Sequence, residues 1–418
     1  MEKFKKTVLE NGAVIVTAQL DNFYSVAMGI TVKIGSRYET KQENGLAHFI
    51  EHMLFKGTKN RTAKDIAREI DGMGGMVNAA TSKEYTYFYA RVIAENAKPA
   101  WDLLQDILQN PLLDEKAIQV ERGVIAQEIK AVEDSPEEQC FRNMLSLLYP
   151  EHPITYPVAG TRENILRFTR ERLFSFREKY YNPDNIIISA AGKIEHDELV
   201  NWVKDSLNSN RKTPDKPSFE IPSIKEKIKV HTRKDLKQVH VALGCRTFKY
   251  KDKRRLPMLV LSNLFTGGMS SQLFQRLREE LGIVYFVAGM PEFFVDTGLF
   301  AIYFATTPKY IKKCVSEIFN EMERLKKSKL NKKDLQNSKD NLKGGLILAL
   351  EDTEHRMSRL AKLELYLGEY RTVDDVIKEI DKCQSEDILS LANELFIRER
   401  FVASLAGPVK EKDVKDIL

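Results

Sequence analysis

Cysteine is scarce in this chain: Cys140, Cys245, Cys314 and Cys383 lie far apart among 418 residues, and no two form a C-x-x-C pair. That spacing excludes both a disulfide framework and a thiolate metal cluster, and it fits a reducing compartment such as the cytoplasm. Long apolar runs are missing too. No stretch reaches the roughly 18 to 20 residues that span a bilayer, and the opening MEKFKKTVLENG has no apolar core after its lysines. Neither a membrane span nor a secretory signal is expected. Charge of one sign is not in large excess: 65 basic against 60 acidic residues leave +5, too little to argue for nucleic acid. The lysine-rich stretch 323–334 is expected to be a solvated face.

What is present is the composition of a soluble globular protein, with 43% hydrophobic and 30% charged residues. A chain of 418 residues exceeds one ordinary core and suits two domains of about 200 residues each. The clearest breaker is RKTPDKPSFEIPS, residues 211–223, whose three prolines oppose both helix and central strand. An extended linker is expected over 212–223. The two sides of it match in order. YSVAMGITVKIG (24–35) answers QVHVALGCRTFK (238–249), both alternating like strands. The helix ending LFKGT (54–58) answers one ending LFTGG (264–268), and residues 112–134 answer 329–352, each closing on Glu-Asp. Residues 161–194 and 372–409 each carry a helical pattern, then a β-rich run ending in Ala-Gly. These blocks predict an α+β fold of two homologous domains, residues 1–211 and 224–418, each a mixed sheet packed with long helices.

One segment carries chemistry. Residues 45–58 read GLAHFIEHMLFKGT, with Leu46, Phe49, Ile50, Met53 and Leu54 at the spacing of a buried helix face. His48 and His52, four apart, project one turn apart from a common face and can reach one tetrahedral Zn²⁺ at about 2.0–2.1 Å. Glu51, between them, can approach water at the ion's open position without taking a coordination place itself. The order H-x-x-E-H is the inverzincin signature, the reverse of the commoner H-E-x-x-H. Two histidines leave such an ion short of a third protein ligand. Downstream, Glu121 and Glu128 stand seven apart, on one face of a helix; Glu128 is the candidate ligand and Glu121 the candidate partner of a ligating histidine. In the second half the matching positions are Met258, Leu261, Ser262, Ser338 and Gly345. All five polar groups vanish together, which solvation of a helix face would not require. The remaining histidines (His152, His196, His231, His240 and His355) show no pairing and receive no chemical role.

These residues resemble the pitrilysin and insulinase family of metallopeptidases, in particular its short members such as mitochondrial processing peptidase subunits. The resemblance covers nearly the whole chain and rests on four segments: GLAHFIEHMLFKGT, the Glu121–Glu128 spacing, NAATSKEYTYFYA (78–90) and LFQRLREELGIVYFV (273–287). It implies a zinc endopeptidase with one Zn²⁺ per chain, held by His48, His52 and Glu128, with Glu51 as general base. It further implies a chain that pairs with another like it into a clamshell around a peptide-sized chamber, so a homodimer is expected. Residues 72–92 match the family's glycine turn and the edge strand beside the metal. An exposed edge binds extended peptide through main-chain hydrogen bonds, and Asn78 and Ala79 are the candidate substrate contacts. Arg278 and Tyr285 match the family's Arg/Tyr pair, the tyrosine as oxyanion donor and the arginine as holder of a peptide carbonyl or carboxylate. Two rivals stand beside this: a non-catalytic scaffold or processing subunit of the same family, and a zinc hydrolase acting on something other than peptides.

Overall fold

A computed structural model describes residues 3–207, 209–327 and 330–418. Ser328 and Lys329, within the lysine-rich stretch, lie outside the described residues. Alternating and continuous apolar runs build two sheets. The first contains β1 (Lys3–Val8), β2 (Val14–Gln19), β3 (Ser25–Val32), β4 (Met76–Thr81), β5 (Thr86–Ile93) and β6 (Ile186–Gly192), in the order β1-β2-β6-β3-β5-β4. The second contains β7 (Ile228–Thr232), β8 (Val239–Thr247), β9 (Val287–Phe293), β10 (Gly298–Thr306) and β11 (Val402–Gly407), in the order β7-β11-β8-β10-β9. The last five strands of the first order map onto the second. In each sheet one pair is parallel, β2 with β6 and β7 with β11, and the other pairs are antiparallel. The internal repeat of the sequence is thus a repeat of topology, with β1 as an addition to the first copy.

The compact units are interleaved rather than sequential. The first comprises residues up to Lys130, Tyr156–Phe219 and Leu348–Tyr370; the second comprises Ala131–Thr155, Glu220–Ile347 and Arg371–Leu418. The expected linker has no regular secondary structure and contains the switch between units at Phe219 and Glu220. Its first part is seated on the first unit, where the Thr213 N–H donates to Asp184 at 3.0 Å and the Lys216 ammonium lies 4.5 Å from the centroid of the Tyr38 ring.

Interleaving follows from two helices. Pro136–Leu148, from the first half of the sequence, packs on β8 and β11 of the second sheet. Thr353–Leu367, from the second half, packs on β6, β3 and β2 of the first. The contacts are equivalent. Gly29 in β3 faces Met357, whose sulfur would stand 2.5 Å from a Cβ there, and Gly244 in β8 faces Met144 in the same way. Both methionines are almost fully buried, each worth about 1.5–3 kcal/mol of apolar transfer. On the opposite face of the first sheet the helix Leu46–Leu54 packs over β4 and β5, and its Phe49, Ile50 and Met53 join Ile30, Phe88 and Ile188 in one core.

Candidate metal centre

The helix Leu46–Leu54, here the motif helix, starts at a carboxylate. Glu39, 3% exposed, accepts hydrogen bonds from the backbone N–H groups of Gly45 and Ala47, each at 2.8 Å, and from the Asn44 amide at 2.9 Å. These satisfy orphan donors of the helix start with an anion where the helix dipole favours one. Burial nevertheless pushes the Glu39 carboxyl up to about 7, against its three donors. With its N-terminus fixed and its apolar face locked in the core, the helix has little freedom to rotate, and His48, Glu51 and His52 emerge from the remaining face, half-buried.

The helix Glu115–Asp134 supplies the carboxylates. Its Ile118, Ile125 and Ile129 are buried, and Glu121 lies among them at 2% exposure. Glu121 accepts from Nδ1 of His52 at 3.0 Å and holds the Lys56 ammonium at 2.6 Å. That bond puts the His52 proton on Nδ1 and leaves Nε2 as a lone pair directed at the cluster. Glu128 Oε2 stands 3.5 Å from Nε2 of His52 and 3.7 Å from Nε2 of His48. His48, His52 and Glu128 each offer one ligand atom, all within 4.8 Å of one another. Donors bonded to a tetrahedral zinc ion at about 2.0–2.2 Å stand roughly 3.4 Å apart, so two nitrogens and one oxygen at these separations fit that ion with little adjustment. Burial, then the neighbouring His52, hold the His48 imidazole down to about 4, the neutral form a metal requires. Its Nδ1 is buried with no hydrogen-bond partner among the described residues.

Glu51 stays out of that cluster. Its Oε2 accepts from the Thr81 hydroxyl at 2.5 Å. Burial pushes its carboxyl up, and the Thr81 hydrogen bond partly opposes this. Nearby, burial and then the Glu51 charge push the Tyr181 hydroxyl up; its oxygen is buried and unpartnered among the described residues.

Asn78 and Ala79 lie on β4, the edge strand, after a turn in which Gly74 adopts φ 61°. They do not share a face. Ala79, like Val77, packs into the core beneath the motif helix, whereas Met76 packs on the opposite face of the sheet. Asn78 follows Met76 in the alternation; its side chain meets Tyr89, its cross-strand partner, and its Oδ1 accepts the Ala79 N–H at 2.8 Å.

In the second unit the helix Arg255–Thr266 repeats the motif helix without its chemistry. Met258 and Leu261 are fully buried, Ser262 nearly so, and Ser338 donates to the Val260 carbonyl at 3.0 Å. Four of the five matching positions are buried and carry no metal-binding group, and the fifth, Gly345, is exposed. Arg278 and Tyr285 are brought together: the guanidinium carbon lies 5.1 Å from the Tyr285 ring centroid and 4.8 Å from that of Phe274. Arg278 belongs to a π-helical segment, Phe274–Glu280, and Tyr285 is 78% exposed. Such widened turns occur often at functional sites.

Sequence reasoning missed Glu39, Lys56, Thr81 and Tyr181. The signal for Thr81 was present in the alternation of β4, which puts 77, 79 and 81 on the face toward the motif helix; the other three follow only from tertiary packing.

Comparison with known proteins gives one answer. The insulinase (peptidase family M16) domain matches residues 14–162, and the peptidase M16 inactive domain matches residues 167–342. An uncharacterized zinc protease of Bacillus subtilis is 36% identical over 97% of this chain and 98% of its own length. Another, of Mycobacterium leprae, is 34% identical over 97% and 92% respectively. A protease from Helicobacter pylori superposes with a TM-score of 0.87 at 23% identity, over 97% of this chain and 100% of that one. A peptidase M16 inactive domain from Pseudomonas fluorescens superposes with a TM-score of 0.90 at 16% identity, over 98% of each. At those identities the two structures establish the fold.

Proposed function

The chain belongs to the insulinase family, peptidase family M16, and from that premise we propose that it is a zinc-dependent endopeptidase hydrolysing extended or unfolded peptides. The observation that carries the proposal is the convergence of His48, His52 and Glu128 beside a fourth group, Glu51, that is held apart from them. Zinc bound by the three would supply Lewis acidity to water and to the scissile carbonyl. Glu51 takes a proton from the attacking water and returns it to the leaving amine. Burial, the main cause, raises its carboxyl, which makes it a readier proton acceptor than an exposed carboxylate. Glu121 fixes the ring of His52, and Lys56 in turn holds Glu121. The β4 edge, including Ala79 and Asn78, receives the peptide by strand addition, which reads backbone and tolerates varied side chains. Tyr285 donates to the developing oxyanion, and Arg278 holds a peptide carbonyl or carboxylate. Among the described residues the second unit gathers no cluster of metal-binding side chains, and Arg278 and Tyr285 are assigned to the site of a second copy of the chain in a homodimer.

The test is a pair of measurements on purified variants. Glu51→Gln should retain about one zinc per chain and lose peptide hydrolysis by at least about 100-fold. His52→Ala should lose the metal itself. A Glu51→Gln protein that cleaves peptides at the wild-type rate sinks the mechanism, and wild-type protein that binds zinc but cleaves no member of a mixed-sequence peptide library sinks the peptidase.

A further inference from the structure

β4 is an edge strand, so alternate backbone groups along it point away from β5. The Ala79 N–H is one of them, since it bonds the carboxamide of Asn78 rather than β5. Thr81, two residues on, repeats that orientation, so its N–H is turned toward the Glu51 carboxylate. Its hydroxyl donates to the same carboxylate at 2.5 Å. One residue therefore holds Glu51 by its hydroxyl with its own N–H turned to the same carboxylate, and Glu51 occupies the place on the edge ladder where a paired peptide would otherwise continue.

The grip is anchored from behind. Thr81 ends β4, and its cross-strand partner Thr86 donates to the Ile34 carbonyl at 3.0 Å. The hairpin tip that follows is bound by Ser36 N–H to the Ser82 carbonyl at 3.2 Å and by Arg37 N–H to the Lys83 carbonyl at 2.9 Å. Beneath them Arg37 and Glu84, 1% and 3% exposed in their side chains, form an ion pair of 2.6 Å. Gly35 lies so close to the backbone of Ser82–Glu84 that no Cβ fits there. Thr81 can shift only if this frame shifts.

We propose that Thr81 is the positioning residue of the hydrolytic base: it ends the peptide-docking edge at Glu51 and aims that carboxylate at the carbonyl of the residue paired last. Docking and proton transfer then share one rigid element, as sites built on strands allow. A peptide pairs with Val77 and Ala79, displacing the Asn78 carboxamide from the Ala79 N–H. Its next residue meets the Glu51 carboxylate, which stands before the Thr81 N–H at that end of the edge. This inference rests on Glu51 being the base, as proposed above.

The experiment compares Thr81→Val, Thr81→Ala, Thr81→Ser and Glu51→Gln in the full chain, loaded with zinc. The substrate is whichever internally quenched, unstructured peptide from a mixed library the wild-type protein cleaves fastest. Thr81→Val and Thr81→Ala should lower kcat by at least about 10-fold with KM within about twofold and zinc content unchanged, because orientation of the base is lost and docking is not. Thr81→Ser restores the hydroxyl and should recover kcat to within about threefold. Independently of turnover, the Thr81 amide should exchange with deuterium faster in Glu51→Ala than in the wild type, while the neighbouring β5 amides stay protected. Wild-type kcat in both Thr81→Val and Thr81→Ala, with Glu51→Gln inactive, overturns the positioning role and leaves the base intact. A Thr81→Ser protein as slow as Thr81→Val, loss of zinc from the Thr81 variants, or unchanged Thr81 exchange in Glu51→Ala also overturns it. Full activity in Glu51→Gln overturns instead the reading beneath it.

Discussion

Neutralising Glu84 removes a counter-charge from a guanidinium that has no access to water. In Glu84→Gln the shape is kept and the charge lost, leaving Arg37, fully buried, to face a neutral amide across a former 2.6 Å ion pair. Breaking one side of a buried pair costs about 3–5 kcal/mol, because the remaining charge stays desolvated after its ion-pair partner is lost. The introduced amide would still accept a hydrogen bond, so the lower end, about 3 kcal/mol, is the expected loss. For a unit of roughly two hundred residues this lowers the unfolding midpoint by about 6–12 °C. The chain supplies its own reporter: its two tryptophans, Trp101 and Trp202, both lie in the first unit, so their fluorescence follows that unit alone through urea or thermal unfolding. The gap between wild type and variant should persist at high salt, since a pair this buried is little screened. Replacing both residues by methionine should recover part of the loss, giving a coupling energy above about 1.5 kcal/mol in the double-mutant cycle. A Glu84→Gln loss below about 1 kcal/mol, or a cycle without coupling, would refute the claim that burial gives this pair its weight.

Three further outcomes follow from the same structure. Glu121→Ala should weaken zinc binding by about 10–100-fold, read by competition with a chelating dye, because His52 loses the acceptor that fixes its ring. Gly35→Ala should lower both the tryptophan-reported stability, by about 1–3 kcal/mol, and kcat, since the added Cβ meets backbone of the hairpin tip that cannot yield as a side chain would. Mixing Glu51→Gln with an Arg278→Ala, Tyr285→Phe double variant should restore activity in purified mixed dimers if those groups serve a partner's site; activity equal to the average of the parents rejects that arrangement.

The sequence displays some of these features far better than others, for physical reasons. His48 and His52 were legible because a four-residue step on a helix is short-range geometry, and Glu121 with Glu128 because seven residues make two turns. Their loss as a set in the second half was equally local, and the structure adds what the replacements do, with Met258 and Leu261 in the core and Ser338 bonded to Val260. The repeated blocks announced two like domains, and the matching strand orders are what the structure adds. The exchange of Pro136–Leu148 and Thr353–Leu367 did not, because nothing in an amphipathic helix says which of two similar sheets it will cover; only the pairing of Gly29 with Met357 and Gly244 with Met144 does. Glu39 was invisible, and Thr81 legible only as one position on a face of β4, for a related reason. A threonine in a strand and a glutamate before a helix are ordinary until tertiary structure sets them against a particular carboxylate or a particular pair of backbone donors.

The exchanged helices also set a timetable. A chain emerging from the ribosome completes the six strands of the first sheet at Gly192, but the helix that covers one face of that sheet begins at Thr353. At about 5–20 residues per second the intervening segment takes about 8–30 s to synthesise. Throughout that interval Val16, Ala18, Ala27, Tyr89, Ile187 and Ala191 have no Met357 or Leu360 to pack against. The helix Pro136–Leu148 waits as well, made before any strand of the sheet it will cover. Each half of the gene product is therefore born holding a part that belongs to the other, and a ribosome that stops near the linker releases a sheet with a bare apolar face and a helix with nowhere to dock.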